Sequence, residues 1–319
     1  MLLGVSAAYL GPLYGLATSV LWTLTGVCFT AAGRRIGPAA VNSVRILLAC
    51  VWLALTHRVL SGTWVPDLAA RQAWLLAASG WIGLTLGDLA LFTAYVRIGP
   101  RLAMLLMTTA PLLVALLGRG FLGERLGKWG WCGMALTLGG VAWVVLERPA
   151  QAQDAHHRAH RLSGIVLGLV AAACQAVGSL LSKAGIGHGW LPPEAQLAPQ
   201  TAALVRMFFA AVGVLPLVAW LVLRARRTPL PAARTGGTRR WGYFFTLCGS
   251  LVGPYLGVWA SLEAFHRTSL GVAQTLCSLP PVLFLPLAVW VYGERVTRRA
   301  VCGAVAAVAG TALLFVQAG

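Results

Sequence analysis

Four charged residues lie deep within apolar stretches of the sequence, namely Arg45, Asp88, Arg206 and Glu263. If those stretches cross a membrane, each charge costs about 2.5–3.5 kcal/mol on insertion scales, so such residues face a water-filled cavity or one another. A carboxylate in that position can take up and release a proton, and a guanidinium can bind an anionic group. The residue types therefore predict solute binding within a membrane, with Asp88 and Glu263 as the candidates for proton coupling.

Asp88 also belongs to a stripe of polar and aromatic residues. Positions i, i+4, i+7, i+11 and i+14 of one helix face are Trp81, Thr85, Asp88, Phe92 and Tyr95. Such aromatic stripes are more often core or interfacial belt than binding site, but a core stripe would not also contain the acid. We therefore expect this face to line a cavity. A similar stripe further along the chain contains Tyr255, Trp259, Glu263 and His266.

Other polar residues within apolar stretches are weaker candidates for the same cavity. They are Trp22, Thr23, Asn42, Gln175, Ser179, Gln274 and Ser278. Each could equally form a hydrogen bond between helices. Arg45 and Arg206 also have an alternative, since an arginine near the end of a span can extend its side chain to the headgroups.

No metal or cofactor site is predicted. The 7 cysteines lie in apolar stretches without the spacing of a ligand cluster. His156, His157 and His160 lie in a polar segment without a fixed scaffold, which is typical of a solvated loop. A nucleotide-binding GxxxxGK[ST] motif is absent, so we do not expect ATP to drive this chain directly.

The elements that position these residues are membrane-spanning helices. The chain has 319 residues, 58% apolar and 10% charged, with a mean hydropathy of +0.78. A soluble domain is about 25% charged, so this composition excludes a water-soluble globule. Apolar runs of about 20 residues predict ten helices, at about residues 11–33, 38–57, 71–96, 100–121, 127–146, 162–184, 199–223, 241–264, 269–292 and 299–317.

The net charge of +17 arises from 25 basic and 8 acidic residues. The charges lie between the apolar runs and form no basic face with interleaved aromatics, so we exclude nucleic acid and expect the lipid bilayer as the partner. With these spans, the loops on the amino-terminal side and the span ends beside them contain six basic residues, and the other side contains sixteen. The six are Arg58, Arg71, Arg125, Lys128, Lys183 and Arg267. The positive-inside rule then places both termini outside the cytoplasm. The excess of Arg over Lys, 23 to 2, together with the high Ala and Gly content, suggests a GC-rich bacterial genome, and we expect the protein in the inner membrane.

The sequence also repeats itself. A shift of 170 residues aligns residues 83–142 with residues 253–312 without a gap. We therefore divide the chain into two five-helix repeats, at residues 1–150 and 151–319. Because five is an odd number, the second repeat is expected to be inverted across the membrane, and inverted repeats around a central cavity are typical of secondary transporters.

Each repeat contains a helix with a central proline and a Gly-Glu-Arg ending. The residues are Pro111, Gly123 and Glu124 in the first repeat and Pro281, Gly293 and Glu294 in the second. In the simpler interpretation the glycine stops the helix and the charges anchor it at the headgroups, and the alternative is a gate. A proline removes an amide donor and permits a kink, and its equivalent position in both repeats favours a hinge over packing alone.

This duplicated signature, with Arg45 in the second helix and Arg206 in the seventh, resembles the EamA branch of the drug/metabolite transporter superfamily. The resemblance implies a basket formed by helices 1–4 and 6–9 around a central cavity, with helices 5 and 10 as an outer scaffold. It also implies cytoplasmic termini, contrary to the charge bias. A reporter fused at Gly319 distinguishes the two orientations.

We therefore expect an all-α integral membrane protein that moves a small organic solute, such as a metabolite, amino acid or drug, by alternating access. Export and proton coupling are expected, and a monomer is expected to suffice. An arginine and an acid in one cavity suggest a zwitterionic cargo. The alternatives are an intramembrane enzyme acting on lipid-linked intermediates, which would need clustered acid/base groups, and a non-transporting sensor or assembly subunit.

Overall fold

The computed structural model describes residues 7–36, 38–147, 161–191, 196–227, 236–292 and 297–318, and these residues form helices and turns with no strand among them. Two π-helical segments, π1 (Gly80–Leu86) and π2 (Leu251–Gly257), join α3 to α4 and α9 to α10. The α-helices are α1 (Ala7–Ile36), α2 (Pro38–Ser61), α3 (Ala70–Ser79), α4 (Gly87–Met107), α5 (Ala110–Leu122), α6 (Lys128–Glu147), α7 (Arg161–Ile186), α8 (Pro199–Arg227), α9 (Gly236–Ser250), α10 (Val258–Arg267), α11 (Leu270–Cys277), α12 (Pro280–Tyr292) and α13 (Arg298–Ala318).

Ten stretches of helix in the described part of the chain are long and apolar enough to cross a membrane. They are Ala8–Gly33, Val44–Ser61, Ala70–Leu91, Leu102–Leu122, Lys128–Leu146, Arg161–Ile186, Pro199–Pro216, Arg239–Arg267, Leu270–Leu287 and Arg298–Val316. Large apolar side chains such as Val59, Trp74 and Val305 are exposed on the outside of the bundle, where a soluble protein would carry charge. The predicted all-α, ten-helix membrane fold is confirmed.

Corresponding elements occur in the two halves of the chain. π1 and π2 each have 7 residues. α5 and α12 each have 13 residues. Each of these two helices begins at the proline-containing segment that the sequence repeat aligns, because proline is tolerated in the first helical turn and its fixed φ favours helix initiation there.

Helices α6 and α13 pack closely against each other along a line of glycines. A β-carbon added to Gly140 would collide with the carbonyl oxygen of Gly303. A β-carbon on Gly133 would lie 2.9 Å from the carbonyl oxygen of Gly310. Small residues let transmembrane backbones approach closely. The last helix of the first half and the last helix of the second half therefore pack tightly together.

Candidate functional site

A cavity of about 410 Å³ lies between helices from both halves of the chain. This volume is within the range of about 300–1,000 Å³ typical of small-molecule sites. The walls are largely apolar, including Met104, Met107 and Phe265. The polar groups on the walls belong to Trp22, Thr25, Arg45, Asp88, Thr108, Gln175, Arg206, Ser261, Gln274 and Ser278.

Arg45 on α2 and Asp88 on α4 form an ion pair at the cavity wall. The Arg45 Nη2 atom lies 2.9 Å from the Asp88 Oδ2 atom, and the two side chains are 17% and 29% exposed. Gly87, next to Asp88, lets α4 approach α7 closely, because a β-carbon there would lie 3.2 Å from the Cys174 Cβ atom on α7. The acid therefore reaches the cavity with its charge balanced by one arginine.

Arg206 on α8 lines the same cavity but has less compensation. Its side chain is buried, with 3% of the residue exposed, and its Nε and Nη2 atoms have no hydrogen-bond partner among the described residues. Asp88 is within electrostatic range of the guanidinium. Burying a charged donor without an acceptor costs several kcal/mol, so an arginine in this state is unusual in the interior of a folded protein.

Both π-helical segments contribute to the cavity wall. Gly83 and Leu84 of π1 and Gly253 and Pro254 of π2 line it. Pro254 has no amide hydrogen and so disrupts the regular hydrogen-bond ladder of π2. Single turns of π-helix inside longer helices occur frequently at functional sites, because the wider turn reorients neighbouring side chains.

Two membrane spans are interrupted beside the cavity, one in each half. α4 ends at Met107 and α5 begins at Ala110, with Pro111 in its first turn. α11 ends at Cys277 and α12 begins at Pro280, followed by Pro281. All three prolines line the cavity. The predicted proline kinks are therefore found as breaks between two short helices. Discontinuous helices of this kind form substrate sites in many transporters.

A buried ionic cluster joins helices at one end of the bundle. The Lys183 Nζ atom on α7 lies 2.6 Å from Glu124 Oε1, with side chains 8% and 12% exposed. Lys183 also donates to the Thr268 carbonyl oxygen at 2.6 Å, and the Leu270 amide donates to Glu124 Oε2 at 2.8 Å. Glu124 follows Gly123, whose φ of 68° ends α5 in the left-handed region that glycine favours.

This cluster lies on the side of the bundle where α1 begins. A β-carbon on Gly11 would lie 2.8 Å from the Thr268 Cβ atom. The His188 Nε2 atom lies 2.9 Å from the His266 Nδ1 atom near the same end. Burial and the positive charges of Lys183 and His266 lower the pKa of His188 to about 4. The first half contributes Glu124 to the ionic cluster, and the second half contributes Lys183, Thr268 and Leu270.

The cavity brings together part of the predicted set. The predicted residues that line it are Trp22, Arg45, Asp88, Gln175, Arg206, Gln274, Ser278, Pro111 and Pro281. Gln274 also accepts a hydrogen bond from the Ser179 hydroxyl at 3.3 Å, which joins α11 to α7. Polar groups from helices of both halves therefore converge on one space.

Other predicted residues lie elsewhere. Trp81 packs edge-on against Phe209, with ring centroids 5.7 Å apart. The Thr85 hydroxyl donates to the Ala210 carbonyl oxygen at 3.3 Å. These contacts attach π1 to α8, so both side chains serve helix packing.

The stripe in the second half also lies away from the cavity. Tyr255 shares a hydrogen bond of 2.7 Å with Thr56, and its ring lies 6.1 Å from that of Trp259. Glu263 forms an ion pair of 3.0 Å with Arg267 one turn later.

Thr23, a weaker candidate on α1 in the first half, forms a hydrogen bond within its own helix. Its hydroxyl donates to the Ser19 carbonyl oxygen.

Some predicted positions fall outside the described part of the structure. Gly293, Glu294, His156, His157 and His160 lie between the described ranges, and the description of Asn42, Phe92 and Tyr95 does not extend to their side chains. Within the described ranges, no group of three or more His, Cys, Asp and Glu residues is placed to hold a metal ion.

Lys183 is the functional candidate that the sequence analysis missed. It is among the six basic residues assigned above to the loops and span ends of the amino-terminal side, but it lies on α7 within the span Arg161–Ile186 and is buried. The sequence contains a signal for its burial, because Lys183 ends an apolar run and lies one turn after Ser179 on the same helix face. Its partner Glu124 was identified only as part of the Gly-Glu-Arg ending.

Ten membrane helices, two corresponding halves and a shared central cavity define a multi-pass membrane transporter fold. The family model for the EamA-like transporter family matches residues 9–146 and 162–316, and the chain belongs to this family. A solved structure described as "Crystal structure of protein" has a TM-score of 0.72 and 18% sequence identity, and the alignment covers 95% of each chain. That similarity shows the fold alone. The comparison with curated proteins gives no match.

Proposed function

We propose that this protein is a secondary transporter that exports a small organic solute from a bacterial cell across the inner membrane by alternating access. The observation that carries the proposal is the cavity of about 410 Å³ between the two halves, with intramembrane charges on its wall. A cavity complete within one chain supports transport by a monomer. Repeats at residues 1–150 and 151–319, inverted relative to each other, would give two conformations of similar energy that face opposite sides.

In this mechanism the Glu124–Lys183 ion pair holds one end of the cavity closed. The pair joins the end of α5 in the first half to α7 in the second. Opening this end separates the two charges, and closing the opposite end supplies compensating contacts. The helix breaks before Pro111 and Pro281 are the hinges in this proposal, since a break between short helices permits rotation at little cost.

Asp88 is the proposed proton-coupling group. Protonation would neutralise the carboxylate and release Arg45, which lies 2.9 Å away. Glu263, the other candidate, pairs with Arg267 outside the cavity wall, so Asp88 is better placed to link a proton to the solute.

The Asp88→Asn variant tests this coupling. We expect it to abolish solute uptake driven by a pH gradient in proteoliposomes, because the amide cannot exchange a proton. The matched control is Glu263→Gln, which should retain gradient-driven uptake. Wild-type transport by Asp88→Asn would contradict the proposed coupling.

Solute counterflow separates transport from the two alternatives. Ligands are first chosen by their effect on the melting temperature, from amino acids, sugars, nucleosides and cationic drugs. A transporter accumulates labelled solute in vesicles preloaded with the unlabelled compound, whereas an enzyme or a sensor does not. The enzyme is the weaker alternative, since Asp88 is the one carboxylate among the described cavity-lining residues and acid/base catalysis needs a partner group.

A further inference from the structure

We infer that Arg206 is the anion-binding residue of the cavity and that the solute is an organic monoanion whose carboxylate it binds. This inference rests on the proposed function, because it assigns the cargo of the same cavity. It differs from the zwitterion suggested by the sequence.

The first argument is the state of the guanidinium. Arg206 Nε and Nη2 are buried and have no acceptor among the described residues. These two nitrogens form one edge of the guanidinium fork, which matches the two oxygens of a carboxylate in a bidentate pair. Folding has therefore left this carboxylate-binding edge buried in the wall without a carboxylate, and a solute in the cavity engages it when the side chain turns toward the cavity.

The second argument is the space beside the guanidinium. Gly83 lines the cavity next to Arg206, and a β-carbon there would lie 3.0 Å from the Nη2 atom. Gly80, one helical turn earlier, has no room for a β-carbon against the Arg206 backbone. Glycine at positions 80 and 83 of π1 therefore accommodates the Arg206 backbone and guanidinium, and a larger side chain at position 83 would restrict how the guanidinium presents its N–H groups to the cavity.

The third argument is the charge balance of the wall. The charged residues among the described lining positions are Arg45, Asp88 and Arg206. Asp88 is engaged by Arg45 at 2.9 Å. One positive charge therefore remains in excess, and a solute with a single negative charge neutralises it. The ammonium group of a zwitterion would have to compete with Arg45 for Asp88.

The remaining walls indicate the rest of the solute. Trp22, Met104 and Phe265 give the cavity an apolar surface, and the amides of Gln175 and Gln274 supply a few hydrogen-bonding groups. Apolar walls with few polar groups favour a compact apolar or aromatic body. The chemical class is thus a small carboxylate with an apolar body.

Binding of a matched ligand series to the full-length protein in detergent tests this inference. The series is 3-phenylpropionate, its neutral amide 3-phenylpropionamide, zwitterionic phenylalanine and cationic phenethylamine, and calorimetry gives each dissociation constant. A hydrogen-bonded charge contributes about 1.5–3 kcal/mol, so the carboxylate should bind at least about tenfold more tightly than its amide. Equal or weaker binding of the carboxylate than of any of the other three, including no measurable binding, overturns the inference.

Variants assign the effect to Arg206. Arg206→Gln should remove the preference for the carboxylate, and Gly83→Ala should weaken carboxylate binding by crowding the guanidinium. Arg239→Gln removes one positive charge from an exposed site near the start of α9 and should bind like the wild type. If Arg206→Gln elutes as aggregate in size-exclusion chromatography, the wild-type series alone decides.

Failure of this inference and failure of the proposed function give different results. Selective carboxylate binding without counterflow would contradict transport but leave the Arg206 site standing. Counterflow of an amine or a neutral solute, with no preference for the carboxylate in binding, would contradict the anion site but leave transport standing.

Discussion

Removal of the Glu124 carboxylate should destabilise the closed end of the bundle strongly. In Glu124→Ala the Lys183 ammonium, 8% exposed, keeps only the Thr268 carbonyl oxygen at 2.6 Å, and the Leu270 amide loses its acceptor. Breaking a buried pair by removing one partner costs about 3–5 kcal/mol. A cost of 3 kcal/mol increases the population of open conformations by more than about a hundredfold.

The matched control lies near the same end of the bundle. Glu263→Ala also removes one carboxylate from an ion pair, but its partner Arg267 is 38% exposed and lies one turn away on the same helix. Such i,i+4 pairs contribute about 0.3–0.5 kcal/mol. The two alanine variants should therefore differ by several kcal/mol in their effect.

Melting temperature in detergent and hydrogen exchange of the first turn of α11 measure the effect. Glu124→Ala should melt well below Glu263→Ala, and its α11 amides should exchange faster. A double variant, Glu124→Leu with Lys183→Met, should recover much of the loss, because it leaves no unpaired buried charge. Similar melting and exchange in both alanine variants, or an additive loss in the double variant, would refute the reasoning.

The remaining predictions concern helix packing and pH. Gly140→Ala should destabilise the protein by about 1–3 kcal/mol, because the new methyl group meets the Gly303 backbone on α13. Gly139→Ala is the control and should leave stability unchanged, because no atom lies within 4 Å of the added carbon. Equal melting temperatures of the two variants would contradict this packing. The pKa of His188 is lowered from 6.5 to about 4, so the unfolded chain binds more protons between these values and stability should fall as pH drops from about 6.5 toward 4. His188→Gln should reduce this dependence, as measured by melting temperature against pH, and an unchanged profile in that variant would oppose the assignment.

The helices were largely predictable from the sequence because long apolar runs bounded by glycine, proline and charge have few alternatives in a membrane. The interruptions before Pro111 and Pro281 followed from proline chemistry at positions that the repeat aligns. Arg45 and Asp88 were identified for the same kind of reason, since an intramembrane charge requires a partner or a cavity.

The helix faces were harder to predict. The proposed stripe from Trp81 to Asp88 assumes a regular α-helix, but π1 covers Gly80–Leu86 and its wider turn changes the phase of the residues that follow. Trp81 and Thr85 therefore face α8 while Asp88 faces the cavity. The segment π2 likewise interrupts the stripe of the second half, and neither Tyr255 nor Glu263 lines the cavity. Ion pairs between helices that are distant in sequence, such as Glu124 with Lys183, depend on tertiary packing. The spacing of residues along the sequence does not predict them.

Accessibility of one cavity position from both sides of the membrane tests the central claim most directly. Ser278, on the cavity wall between α11 and α12, is replaced by cysteine after the 7 native cysteines are removed, and a membrane-impermeant maleimide is applied to vesicles of each orientation. Alternating access predicts labelling from both sides, with Glu124→Ala increasing labelling from the side of the termini. Labelling from one side only, in both the wild-type background and the Glu124→Ala variant, would contradict an alternating-access transporter.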